Sequence, residues 1–351
     1  MGAHDAPDRP MTLAWLAFQF AACAVLIARA GYVLSRSADA LAEANGWGRG
    51  WVGLALLATV TSLPELASGI SAVAFVDAPN LAVGNALGAC VVNLLFLVVV
   101  DGLQRHQPMY REASATHLLS AGFGVVMLGF VALSLLIGER APAVLHVGVY
   151  SPMLLALYLL ALKGVHGHER EAMVIAAAAA AGGSMAPSAP TVPGGTRQEW
   201  RRFGLAALVV LAAGSWLPEV ADGLAQALGL SRSFVGTVLM AVVTTLPEMA
   251  VTLGALRLGA LDMAIGNLLG SNLFNVVILA VDDAFYIRGP LLADAAPVHA
   301  GTAVTALVMT GLVIVGLVMR PKGQTLRVVS WISVGLTATY LVNAALVYLG
   351  G

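Results

Sequence analysis

The sequence predicts an all-α integral membrane protein of about ten transmembrane helices, arranged as two inverted repeats of five. Three observations point there. Apolar residues make up 59% of the chain and charged residues 11%, against about 45–50% and about 25% in soluble domains. Ten stretches stay apolar for about 20 residues, the length that crosses a bilayer. The two halves also repeat one another at an almost constant offset. So much apolar surface cannot be hidden in one globular core. A net charge of −1, from 18 basic and 19 acidic residues, leaves no basic face for nucleic acid. Cys23 and Cys90 lie in apolar segments, with neither a disulfide framework nor metal-ligand spacing.

The spans fall near residues 12–34, 51–76, 81–100, 118–138, 143–162, 203–229, 234–256, 260–281, 298–319 and 326–349. The first is too long for a signal peptide and follows acidic Asp5 and Asp8, although Phe20-Ala21-Ala22-Cys23 faintly resembles a lipoprotein cleavage box. The run from Ala172 to Ala181 is too short to span. With the Gly/Ser/Pro-rich stretch to Pro193 it reads as a linker. The expected organisation is a first five-helix repeat over 1–163, a cytoplasmic linker over 164–200 and a second repeat over 201–351. With the N-terminus outside, 14 of the 18 Lys and Arg fall in inside segments and 4 in outside segments. Cytoplasmic loops carry the basic excess, so both termini are expected outside. The expected location is the plasma (inner) membrane, and the lipid bilayer is an expected partner.

Residues 39–65 match residues 222–248 at an offset of 183. Asp39 pairs with Asp222, Gly46 with Gly229, Arg49 with Arg232, Gly53 with Gly236, Pro64 with Pro247 and Glu65 with Glu248. The offset then becomes 182, and Gly84 pairs with Gly266, Asn85 with Asn267, Gly88 with Gly270, Asn93 with Asn275 and Asp101 with Asp283. Five spans per half is an odd number, so the second half enters the membrane upside down. Inverted repeats of this kind place a transporter's binding site near the midplane, between the halves.

Two motifs carry the chemistry. Thr61-Ser62-Leu63-Pro64-Glu65 and its mate Thr244-Thr245-Leu246-Pro247-Glu248 each sit midway along a span. An ionised carboxylate there costs a few kcal/mol or more, which makes two symmetric ones a functional signal. Proline removes the helical donor to the carbonyls of Val60 and Val243, so each helix is expected to kink or unwind. Carboxylates, hydroxyls and freed carbonyls are hard oxygen ligands, and Ca²⁺ accepts six to eight of them. A proline kink beside a protonated Glu would explain one such motif better than a symmetric pair.

The second motif is Gly266-Asn267-Leu268-Leu269-Gly270-Ser271-Asn272-Leu273-Phe274-Asn275, mirrored by Gly84 to Asn93. Its glycines permit close helix approach. Asn267, Ser271 and Asn275 form one polar stripe. Asn85 and Asn267 read equally as helix–helix glue or as ligands, whereas Asn93, Ser271 and Asn275 are assigned to the site.

Together, T-S-L-P-E with G-N-x-x-G-x-x-x-x-N and T-T-L-P-E with G-N-L-L-G-S-N-L-F-N resemble the two alpha repeats of sodium/calcium exchangers, here about 53–101 and 236–283. These belong to the cation/calcium antiporter superfamily. The resemblance implies Ca²⁺ exchange for Na⁺ by alternating access, with no resident cofactor. It implies that Glu65, Glu248, Thr61 and Thr244 coordinate Ca²⁺. The same residues would share Na⁺ with Ser62, Thr245, Ser271 and the backbone carbonyls of Ala58 and Ala241. Asn93 and Asn275 would line the centre. The sequence departs from the family at Ala89, where Ser is usual, and at Cys90, where Asn is usual. Asn275 stands where some relatives carry Asp.

The runner-up reading is proton/calcium antiport, with a cation channel and a non-transporting relative behind it. An intramembrane protease is disfavoured, because neither G-x-G-D nor H-E-x-x-H is present. His166-Gly167-His168-Glu169 reads as a solvated loop. Asp101, Asp282 and Asp283 read as interfacial caps in preference to a cation vestibule. Glu219, after Pro218, is either a vestibule residue or an end-of-helix charge.

Overall fold

The computed structural model describes residues 12–44, 58–104, 108–140, 142–180, 196–321 and 329–350. Gly46, Arg49 and Gly53 of the repeat, and residues 181–195 of the linker, lie outside them. The chain is almost wholly helical. The main elements are α1 (Leu13–Ala44), α2 (Ala58–Thr61), α3 (Leu63–Ala74), α4 (Pro79–Leu103), α5 (His117–Ile137), α6 (Tyr150–Ala180), α7 (Thr196–Leu228), α8 (Ala241–Thr244), α9 (Leu246–Arg257), α10 (Leu261–Phe285), α11 (Val298–Met319) and α12 (Trp331–Gly350). Seven of these helices are long and apolar enough to cross a membrane. Arg232–Thr244 and Leu246–Arg257 form one more span, bent by 42°, and Leu63–Ala74 and Tyr150–Val165 are shorter apolar helices. These make up the ten spans in two halves that the sequence predicts.

Several boundaries differ from the sequence reading: α1 runs to Ala44 where the first span is expected to end at 34, and α7 begins at Thr196, inside the expected linker. The fifth span begins at Tyr150 and not at 143, because a two-residue hairpin pairs Ala143 with Gly148 and Val144 with Val147. Helix α6 then runs to Ala180, past the expected start of the linker at 164. Alanine has the highest helix propensity of any residue, so the Ala-rich run extends the helix although it is too short to span alone.

Helices α4 and α10 cross at the centre and are the most buried of the long spans. Helix α3 packs on both, and α9 packs on α10. The glycine face of α4 explains one close approach. A Cβ at Gly88 would strike the Thr237 carbonyl and the Ala241 side chain, and one at Gly236 would strike the Leu81 carbonyl. Gly84 and Gly88 thus seat α4 on Val235–Met240, a π-helical turn leading into α8. Single π turns are often found at functional sites. Helices α1 and α7 lie along one another outside this core, α1 also touching α9 and α7 touching α3.

Candidate cation site

Both T-x-L-P-E motifs break their helices as expected, and at a defined residue. Ser62 separates α2 from α3 with φ −87° and ψ 13°, and Thr245 separates α8 from α9 with φ −80° and ψ 1°. This is the bridge region of backbone space. Proline then occupies the first turn of the following helix, where its missing N–H is tolerated. Glu65 and Glu248 fall in that same first turn. The positive end of the helix dipole favours an anion there.

The two carboxylates are fully buried, Glu65 and Glu248 both at 0% exposure, and stand close enough to interact. Ser62 Oγ crosses the repeats to donate to Glu248 Oε1 at 2.8 Å. Thr61 and Ser271 lie beside Glu248, and Thr244 lies beside Glu65. Thr61 and Ser271 hydroxyls are 3.4 Å apart. Among the described residues, both oxygens of Glu65, Oε2 of Glu248, Oδ1 of Asn93 and both amide atoms of Asn275 are buried without a hydrogen-bond partner. Buried polar atoms are nearly always paired in folded proteins. The unpaired oxygens of Glu65 and Glu248 thus lie among the hydroxyls of Thr61, Thr244 and Ser271.

Most residues singled out in the sequence converge here, but not all in the same way. Thr245 does not reach across as Ser62 does. Its hydroxyl donates back to Ala241 O at 2.8 Å. Ala241 O also accepts Thr245 N–H at 3.1 Å, and Ala58 O accepts Ser62 N–H at 3.1 Å. Ala58 O also accepts from Thr61 Oγ1 at 3.2 Å, so each carbonyl expected as a ligand already accepts at least two hydrogen bonds and would have to give up a hydroxyl to take an ion. Asn85 and Asn267 bond between helices as glue, with Asn267 Oδ1 left buried and unpaired among the described residues. Asn85 Nδ2 donates to Ser68 Oγ at 2.9 Å and its Oδ1 accepts from Thr244 Oγ1 at 3.1 Å. Asn267 Nδ2 donates to Glu248 O and to Thr252 Oγ1, each at 3.2 Å. Cys90 and Asn272, mates in the repeat, meet where α4 crosses α10. Asn272 Nδ2 donates to Cys90 O at 3.2 Å, and Asn272 Oδ1 accepts from Asn93 Nδ2 at 3.1 Å.

Three features escaped the sequence reading. The first is Ser62 bridging to Glu248. The second is a matched pair of contacts from the outer helices. A Cβ at Gly31 of α1 would strike Pro247, and one at Gly214 of α7 would lie 3.1 Å from Pro64 O. Gly31 and Gly214 are themselves 183 residues apart, a signal just upstream of the match at 39–65. The third concerns the terminal aspartates. Asp101 and Asp283, read as caps, are fully buried and accept backbone N–H groups at the starts of later helices. Asp101 accepts from Met109 N–H, Ser330 N–H and Ser333 Oγ, while Asp282 has no hydrogen-bond partner among the described residues. Exposed Glu219 lines a cavity of about 530 Å³ with Ser71, Phe75, Val76 and Ser215.

Ten spans in two inverted halves around a paired-carboxylate oxygen site define a secondary cation transporter. Residues 15–163 and 200–349 match the sodium/calcium exchanger protein family, and the chain belongs to that family. It is a cation/Ca²⁺ antiporter and not an enzyme. It is 30% identical over 249 residues to CaxA of Alkalimonas amylolytica, a candidate antiporter, covering 70% of this chain and 72% of that one. It is 24% identical over 282 residues to the sodium/calcium exchanger MaX1 of Methanosarcina acetivorans, covering 72% and 77%. Among solved structures it is similar to the sodium-calcium exchanger NCX_Mj soaked with 2.5 mM Na⁺ and 10 mM Sr²⁺. That likeness has a TM-score of 0.60 at 19% identity, over 95% of this chain and 99% of the other, and establishes the fold.

Proposed function

We propose that this chain exchanges Ca²⁺ for Na⁺ by alternating access at the buried site between the repeats. The observation that carries the reading is the pair Glu65 and Glu248, two fully buried carboxylates close enough to interact, with three of their four oxygens unpaired among the described residues. Two carboxylates neutralise one Ca²⁺, and Thr61 and Thr244 add hard oxygens. Na⁺ takes the same carboxylates with Ser62, Thr245 and Ser271, and with the carbonyls of Ala58 and Ala241. Asn93 and Asn275 line the centre. A relative named as a sodium/calcium exchanger supports this pair of ions, and one named as an antiporter candidate supports exchange.

Alternating access is supported by the outer helices. Helices α1 and α7 rest on Pro247 and Pro64 through glycines that add no side chain of their own to the contact. That is a smooth bearing for the pair to slide across both broken helices and expose the site to either side in turn. The repeats span 1–163 and 201–351, the cytoplasmic linker lies between them, and both termini face outside. Proton coupling is the second reading, favoured by Ala89, which removes one hydroxyl from a Na⁺ position.

The test is Ca²⁺ flux through purified protein in liposomes. Glu65→Gln and Glu248→Gln should each abolish exchange while inserting normally. Exchange at wild-type rates in both variants would refute the site.

A further inference from the structure

Asp282 is 0% exposed, like Asp283 beside it. Asp283 accepts four hydrogen bonds, from Gly148 N–H, Tyr150 Oη, Ser151 Oγ and Leu291 N–H. Both oxygens of Asp282 have no partner among the described residues. The carboxylate faces Gly69 of α3, where any Cβ would collide with both of its oxygens. Two aspartates of equal burial thus have opposite surroundings, and only Asp283 has a structural task.

The position of Asp282 relative to the site is defined by helix geometry. Gly69 lies four residues after Glu65, on the same face of α3 and about 6 Å along it. Asp282 lies seven residues after Asn275, on the stripe of α10 that carries Ser271, and about 10 Å along it. The carboxylate therefore extends the line of unpaired oxygens from Glu65 and Asn275 towards the end of the bundle where α3 and α10 terminate. The cavity that holds Glu219 lies at this same end of α3. The opposite end is different. At the repeat offsets, Gly69 corresponds to Thr252 and Asp282 to Val100, so the mirror position has neither the carboxylate nor the space for it.

We propose that Asp282 is a second, one-sided binding station for the hard cation carried by this protein, Ca²⁺ or Na⁺, next to Gly69 and on the path between Glu65 and that end of the bundle. It rests on the antiport reading but not on the counter-ion. An unpaired carboxylate buried at this depth is costly alone and is compensated when a cation passes. The station acts on entry and release at one face only, and the chain's two faces differ in cation affinity because of it.

The experiment uses the full chain in membrane vesicles of both orientations, with ⁴⁵Ca²⁺ flux measured against Ca²⁺ and against Na⁺ offered to each face. Asp282→Asn should lower apparent affinity about tenfold at the face where α3 and α10 end, and leave the other face unchanged. Asp282→Glu should restore most of it. Whether Ca²⁺ or Na⁺ affinity shifts identifies the cation held. Wild-type affinity at both faces in Asp282→Asn, where Glu65→Gln is inactive, would overturn the station and leave the antiport reading standing. An equal loss at both faces would mean a packing role and would also overturn it. Absence of cation flux in the unaltered protein would remove the antiport reading and the station with it.

Discussion

Ser62 donates to Glu248 across the repeat boundary at 2.8 Å, while its mate Thr245 turns its hydroxyl back onto Ala241 O at 2.8 Å. Among the described residues neither carboxylate oxygen of Glu65 has a hydrogen-bond partner, although Thr244 lies beside it. The symmetric sequence thus produces an asymmetric site. A hydrogen bond to a charged group contributes about 1.5–3 kcal/mol. We predict that Ser62→Ala lowers apparent cation affinity at least tenfold and that Thr245→Ala has the smaller effect. Flux titrations of the two variants check the order, and equal losses would contradict it.

Ala89 sets a second asymmetry. Thr61 has the Ser271 hydroxyl 3.4 Å away, but the mirror position beside Thr244 offers only the Ala89 methyl, and Thr244 bonds Asn85 instead. Ala89→Ser should raise apparent Na⁺ affinity or the steepness of Na⁺ dependence, with little change for Ca²⁺. One neutral oxygen at about 1 kcal/mol corresponds to roughly fivefold. Ser271→Ala should weaken Na⁺ dependence further. Ca²⁺ flux against Na⁺ concentration for the three proteins tests this.

The bearing contacts predict a graded response. A methyl at Gly31 collides with the Pro247 ring, whereas one at Gly214 is 3.1 Å from Ala67 Cβ and Pro64 O. Overpacking of this kind typically destabilises by about 1–3 kcal/mol. Gly31→Ala should lower thermal stability and slow flux, and Gly214→Ala should do both to a smaller extent. A Gly31→Ala variant that transports at full rate would remove the bearing.

Orientation is tested separately. In a background without Cys23 and Cys90, a cysteine placed within 183–199 should react with a membrane-impermeant thiol reagent from the cytoplasmic side only. Labelling from outside intact cells would reverse the assignment.

The fold was legible because membrane helices and repeats are written in composition and offset. The pairing of Pro64 with Pro247 and of Glu65 with Glu248 located the centre of the site. Side-chain direction was not legible. Nothing in T-S-L-P-E and T-T-L-P-E says that Ser62 crosses to the other repeat while Thr245 does not, since each hydroxyl has a nearby carbonyl to choose. Asp282 and Asp283 are adjacent in sequence and were read alike. One helical step, 100° of rotation, turns Asp283 to the Tyr150 hydroxyl and the Leu291 amide and Asp282 to Gly69. The glue role of Asn85 and Asn267 depended on which helix each faced, and spacing alone does not give that.

The central claim is that Glu65 and Glu248 form a site that Ca²⁺ and Na⁺ occupy in turn. Its most direct measurement is ⁴⁵Ca²⁺ uptake into proteoliposomes under an imposed Na⁺, K⁺ or H⁺ gradient. Uptake should be driven by an outward Na⁺ gradient, absent with K⁺ alone and abolished by Glu65→Gln. Uptake that follows a pH gradient and ignores Na⁺ would contradict sodium coupling, and uptake that Glu65→Gln leaves intact would contradict the site itself.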